Sequence, residues 1–202
     1  MVTRGFVGRR PKADDARRLP PGQSLTTDFP VLSLGPTPAV RLERWKLAIT
    51  HDRKVLASWS WEEFQALPHT PITADIHCVT KWSRFDTQWE GVTIDALLLA
   101  GGVTPPTQFV LAKCYDGYTT NIPLADQRGA QAMIATRYAG EPLAAEHGGP
   151  ARLLVPHLYL WKSAKWIAEF RFVEWNAPGF WEERGYHIRG DPWQEQRYTN
   201  DP

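Results

Sequence analysis

Cysteine, net charge and long apolar runs are all scarce in this chain. Its 202 residues hold two cysteines, Cys78 and Cys114. Two thiols are too few for a disulfide framework, so nothing points to an oxidising compartment. The formal net charge is +1, which removes the case for nucleic acid or an anionic membrane as a partner, although net charge does not report a local basic pocket. No stretch approaches the ~20 apolar residues of a membrane span. The opening MVTRGFVGRRPKADDARRLPPG is basic without a following apolar run, so it does not read as a secretory signal. Arg9-Arg10 likewise lacks the hydrophobic segment that an export signal needs. A cytoplasmic protein is expected. Conventional metal spacing is missing too: there is no C-x-x-C, no H-E-x-x-H and no acidic calcium loop, and the six histidines are dispersed.

What the chain does have is 10 Trp and 17 Pro. Proline at this density argues against a helix bundle and for strands joined by long, defined loops. Trp offers a large apolar body with one donor, which suits a core or the wall of a ligand cleft.

Residues 1–24 are charged and aperiodic and read as an extended N-terminal tail or a segment lying along the surface. Residues 25–202 read as one domain. LTTDFPVLSLGPTPAV, from Leu25, is an extended stretch punctuated by prolines that wraps over a body. Alternation predicts strands at Trp45–Thr50, from Val55, at Gln108–Cys114 and at Ile167–Glu174, with apolar strands at Ile72–Val79, Ala132–Thr136 and Ala151–Val155. The Ser60/Glu63 spacing predicts a capped helix to about Leu67, and Thr93 begins a second that Gly101-Gly102 ends. After Cys78 a polar, Trp-rich loop is expected. Roughly seven short strands against three or four short helices, without a βαβ rhythm, give an α+β fold that is mainly β.

Two stretches could carry chemistry. In Ile72–Gly91, Cys78 follows His77, but neighbours on a strand point to opposite faces, so the pair is a poor dyad. A nucleophilic Cys78 would need His147 or His157 from elsewhere; the alternative is a buried, inert thiol. In His147–Trp166, glycines allow close backbone approach, while Arg152, Lys162, Ser163 and Lys165 gather donors that could grip a phosphate. The alternative there is a solvated basic loop.

Taken together, HCVTKWS with W-x-G-V, then GGPARLLVP and WKSAKW, resemble the sulfite oxidase family of molybdopterin enzymes, and in particular its small proteins that carry the molybdopterin domain alone. The similarity runs from Leu25 to the DPWQEQRY end. It implies the family's mixed molybdopterin-binding fold and a molybdenum–molybdopterin cofactor, with Cys78 as the metal's protein thiolate. It further implies cofactor contacts from Thr27, Pro30 and Val31, from Cys114 where relatives present a hydroxyl, from His147 and Arg152, and from Ser163, Ala164 and Lys165. His77, Lys81, Asp116 and Tyr118 become possible substrate-side residues. Where sulfite oxidases place arginines, this chain has Val79-Thr80-Lys81-Trp82, which puts sulfite itself in doubt. Two-electron oxygen-atom transfer is therefore expected on a small oxyanion or an S- or N-oxide, with electrons exchanged with a separate partner protein. A non-catalytic cofactor-binding or electron-transfer module is the alternative of another class.

Overall fold

The computed structural model describes residues 17–202, so most of the expected tail lies outside the described residues. The strands are β1 Ser24–Leu25, β2 Lys46–His51, β3 Lys54–Ser60, β4 Thr70–His77, β5 Trp82–Thr93, β6 Phe109–Cys114, β7 Thr119–Pro123, β8 Met133–Tyr138, β9 Glu141–Pro142, β10 Arg152–Leu154 and β11 Ile167–Val173. Two short helices, α1 Trp61–Gln65 and α2 Ile94–Ala100, accompany them. The fold is mainly β, as the sequence predicts, and no helix of the described residues is long and apolar enough to cross a membrane.

The local signals act where expected. Ser60 Oγ accepts from Glu63 N while Glu63 Oε2 accepts from Ser60 N, so the capping box closes at the start of α1. Thr93 Oγ1 caps α2 by accepting from Ala96 N at 3.2 Å. One expectation is overturned: the polar stretch after Cys78 is no loop but most of the twelve-residue β5. Its buried polar groups find partners in other segments. Ser83 Oγ donates to Gln23 Oε1 at 3.3 Å, and Thr87 Oγ1 donates to Ala74 O. With those bonds made, burial no longer penalises a polar strand.

β5 is the spine of the first sheet. β4 runs antiparallel along one side of it, and β1 (parallel) then β8 (antiparallel) follow the other side; β10 and β9 extend the sheet from β8. Gly91 permits the β5–β8 crossing, because a Cβ there would sit 2.1 Å from Ile134 O. The second sheet has the order β3-β2-β11-β6-β7, parallel only between β2 and β11.

Successive residues on a strand face opposite ways, and this divides the interior in two. Ile134 and Leu153 join the main core, which packs the second sheet and α2 against the first. Met133, Ala135 and Leu154 point to the other face and pack with Ile76, Cys78, Trp82 and Trp89. Arg152 stands two residues before Leu154 on β10 and its guanidinium lies 5.7 Å over the Trp89 ring, on this second face. The candidate site lies here. Residues 18–25 brace the same side, with Arg18 Nη2 2.5 Å from Asp75 Oδ1 and Gln23 Nε2 donating to Cys78 O at 3.1 Å.

Candidate active site

Cys78 occupies the tip of the β4–β5 hairpin. Its N–H donates to Trp82 O at 2.8 Å and its carbonyl accepts from Lys81 N at 3.0 Å. Lys81 closes the turn with φ 71°, the left-handed residue of a three-residue hairpin loop. The turn wraps its own donors around the sulfur: Thr80 Oγ1 donates to Sγ at 3.0 Å, and the Val79 and Thr80 amides assist. Burial is the larger influence and pushes the thiol pKa up. His77 points the other way, its Nδ1 2.8 Å from Ser83 Oγ, and burial pushes its pKa down to about 4. It is a buried neutral imidazole and no base for Cys78.

The Cys78 thiol lines a cavity of about 350 Å³. Pro30, Asp116, Tyr118, His147, Arg152, Ser163, Ala164 and Lys165, all singled out in the sequence, line the same cavity. Thr27, Val31, His77, Lys81 and Cys114 are not part of its wall. Lys81 and Val31 are exposed and Cys114 is buried. Lys162 does not join the other cations: it is fully buried and turned away, its Nζ 2.5 Å from Glu182 Oε1. The sequence pattern did not single out Phe29, Trp82, Leu160, Trp161, Trp181 or Tyr186 by position, yet they supply much of the wall. For the three tryptophans among them the high Trp content was the one signal.

One end of the cavity is cationic. Arg152 is 2% exposed and donates to His147 O at 2.9 Å and Ser163 O at 2.6 Å. Among the described residues no carboxylate comes within ion-pair distance of it or of Lys165. Lys165 Nζ donates to Leu32 O, Ser33 Oγ and Glu146 O at 2.7–2.9 Å. Burial, then the neighbouring Arg152, holds its pKa down to about 8, and burial alone lowers Arg152 to about 10. Gly148 lets these two residues approach. Its φ is +107°, and a Cβ would lie 3.0 Å from the Cβ atoms of both Arg152 and Lys165. His147 stacks on Phe29 at 4.1 Å.

This donor set fits a large anionic cofactor that carries a soft metal. A buried Arg152 and a half-buried Lys165 without counter-ions are costly unless an anion arrives to pair with them. His147 Nδ1 and Trp82 Nε1 are buried without a hydrogen-bond partner and belong to residues of the cavity wall; polar cofactor groups would satisfy them. A single thiol on the cavity wall suits a metal that would take its proton's place and whose other sulfur ligands come from the cofactor.

Comparison with known proteins identifies the family. Residues 34–181 match the oxidoreductase molybdopterin binding domain. The chain is 43% identical to the oxidoreductase YuiH of Bacillus subtilis (strain 168), over 97% of its own length and all of that protein's. It is 30% identical to the putative protein-methionine-sulfoxide reductase subunit YedZ1 of Azospira oryzae over 66% of its length. Against the mitochondrial sulfite oxidase of Drosophila melanogaster the identity is 26% over 75% of the chain. It spans 50% and 31% of those two proteins. The crystal structure of the sulfane dehydrogenase SoxCD from Paracoccus pantotrophus superposes with a TM-score of 0.59 at 21% identity, over 69% of this chain and 40% of that one, which shows a shared fold. With a family model matched over most of its length, the chain belongs to the molybdopterin-binding oxidoreductase family as an enzyme dependent on the molybdenum–molybdopterin cofactor.

Proposed function

We propose that the protein catalyses two-electron oxygen-atom transfer at a molybdenum centre whose protein ligand is Cys78 Sγ. The carrying observation is the Cys78 thiol on the wall of a cavity that also presents Arg152 and Lys165 without counter-ions. When bound, the molybdopterin group supplies the oxygen transfer and the change of redox state. The chain's own residues bind and orient it. Cys78 donates a thiolate steadied by Thr80 Oγ1. Arg152 and Lys165 neutralise phosphate, and Ser163 fixes the loop between them by accepting Val155 N at 2.9 Å. His147, stacked on Phe29, and Trp82 hold polar edges of the pterin.

Electrons pass to or from a separate redox protein. The sulfite oxidase and methionine-sulfoxide reductase names among the relatives support both directions of transfer. The assignment is tested by expressing the chain in a molybdenum-competent host and measuring bound metal. Near-stoichiometric molybdenum in the native chain, lost in Cys78→Ser, is expected; absence of molybdenum and tungsten from the native protein would overturn it.

A further inference from the structure

Donors from its own turn surround the Cys78 sulfur. Thr80 Oγ1 donates to Sγ at 3.0 Å, and the Val79 and Thr80 amides assist it. Among the described residues, no other side chain hydrogen-bonds this sulfur. The surroundings are apolar, since Ile76, Trp82, Trp89, Met133 and Leu154 form one buried cluster with Cys78. A hydrogen bond to sulfur counts for more in such a setting than in water.

The donors are also fixed from behind. Gln23 Nε2 donates to Cys78 O at 3.1 Å, and Ser83 Oγ donates to Gln23 Oε1 at 3.3 Å. Ser83 has no second proton to give, so in its 2.8 Å contact with His77 Nδ1 the imidazole is the donor. The chain His77–Ser83–Gln23 therefore ends on the carbonyl of the cysteine itself. Cys78 N on Trp82 O and Lys81 N on Cys78 O complete the clamp. The turn has little freedom to swing its donors away from Sγ.

A hydrogen bond to a ligand sulfur competes with the metal for the same electron density. A metal that has gained an electron draws less density from the sulfur. The sulfur then keeps more negative charge, and the hydrogen bond to it strengthens. Such a bond stabilises the reduced metal more than the oxidised one and raises its potential. The two amides act in the same sense, but any residue at positions 79 and 80 other than proline supplies them. The Thr80 hydroxyl is the donor that depends on the side chain.

We propose, resting on the Cys78–molybdenum reading above, that Thr80 is a positioning residue for the redox poise of the site: its hydroxyl bond to Cys78 Sγ raises the one-electron potentials of the bound metal. It acts through the sulfur. Thr80 is exposed, so valine, which keeps its shape and lacks the hydroxyl, removes the bond with little risk to the fold.

The test is a redox titration of the purified holoenzyme, in which reduced methyl viologen supplies single electrons and ferricyanide removes them. The potentials are read from the paramagnetic resonance of the half-reduced molybdenum. Thr80→Val should lower the equilibrium constant for one-electron uptake about tenfold, or ~59 mV for a one-electron couple, with molybdenum content and melting temperature held. Thr80→Ser, which keeps the hydroxyl, should restore the native potential. The metal–sulfur stretch in the resonance Raman spectrum should rise in Thr80→Val, because a sulfur relieved of its donor binds the metal more strongly. An unchanged or raised potential in Thr80→Val, or an equal fall in both variants, overturns the inference, while bound molybdenum leaves the Cys78 reading intact. Loss of molybdenum from Thr80→Val also overturns it, because Thr80 then serves retention of the cofactor and not its poise. Native protein free of molybdenum overturns the reading and the inference together.

Discussion

At Cys78 two influences oppose each other: burial raises the thiol pKa, while Thr80 Oγ1 and two amides favour the thiolate. Burial wins, so the free side chain is a protonated thiol of low reactivity, and a bound metal would be what removes its proton. Cys78→Ser should lower turnover by about 100-fold or more, since even supporting changes around metal ligands reach that size, with circular dichroism close to the native chain's. At Lys165 the pKa near 8 sets a window. Its ammonium is mostly present at pH 7 and mostly lost at pH 9, so sulfate, whose own charge is constant there, should bind the cofactor-free protein roughly tenfold more weakly at pH 9. Lys165→Met should abolish that dependence, as read by isothermal titration calorimetry. The sign for stability is opposite. A base whose folded pKa falls from 10.5 to about 8 disfavours the folded state below pH 8, and the cofactor-free chain gains stability as pH rises through that interval. Gly148→Ala, at φ +107° and 3.0 Å from two side chains, should destabilise by about 1–3 kcal/mol and weaken cofactor retention by displacing Arg152 and Lys165. Read locally in the sequence, Cys78 is ambiguous between an inert and a reactive thiol. It is the resemblance carried by the distant Arg152 and Ser163-Ala164-Lys165 stretch that makes it a metal ligand, because the groups that give it meaning lie in other segments.

Among elements, the three-residue helical turns Leu160–Lys162 and Glu182–Arg184 depend on one buried ion pair. Lys162 Nζ meets Glu182 Oε1 at 2.5 Å and also donates to Asn121 O, Asn121 Oδ1 and Ile188 O. Glu182 accepts Thr120 Oγ1, Trp161 Nε1 and Gly179 N in addition. Burial lowers the Lys162 pKa, Glu182 opposing it. Glu182→Gln strips the counter-charge from a fully buried ammonium, and breaking a buried pair from one side costs about 3–5 kcal/mol. For a chain of this size that corresponds to a melting point lower by about 10 °C, measurable by calorimetry. The pattern of capping residues and alternation sufficed for α1, α2, β2, β6 and β11, whose stabilising contacts are local or periodic. It failed at β5, where WSRFDTQWEG reads as polar surface until Gln23 and Ala74 O are known to satisfy Ser83 and Thr87. It failed again at Lys162, whose neighbours Ser163 and Lys165 do line the cavity; Lys162 ends the helical turn Leu160–Lys162 and turns inward to Glu182, a direction that composition does not reveal.

For the whole molecule, the cavity is where distant segments meet without a continuous core of their own. The strap at residues 29–34, the β4–β5 hairpin tip, the β6–β7 turn and the segments 147–152, 160–166 and 181–186 all contribute. The strap's polar tie to the body runs through Lys165 Nζ, to Leu32 O and Ser33 Oγ, and Phe29 adds its stack on His147. Leu32 and Leu34 remain 54% and 43% exposed, so the strap gains little from burial by itself. A cofactor bound only by the folded chain stabilises it by RT ln(1 + [L]/Kd), about 3–4 kcal/mol at a hundredfold to thousandfold excess over Kd. Removing the molybdenum cofactor should therefore lower the melting point by roughly 10 °C. Hydrogen exchange should rise most in residues 29–34 and 181–186, where contacts run through the cavity. It should change least in β2, β6 and β11, whose core is packed without reference to the site. Equal exchange in both regions after cofactor removal would show that the cavity segments are held by the protein alone, and that the two cations of its far end are compensated by backbone carbonyls rather than by a cofactor's phosphate.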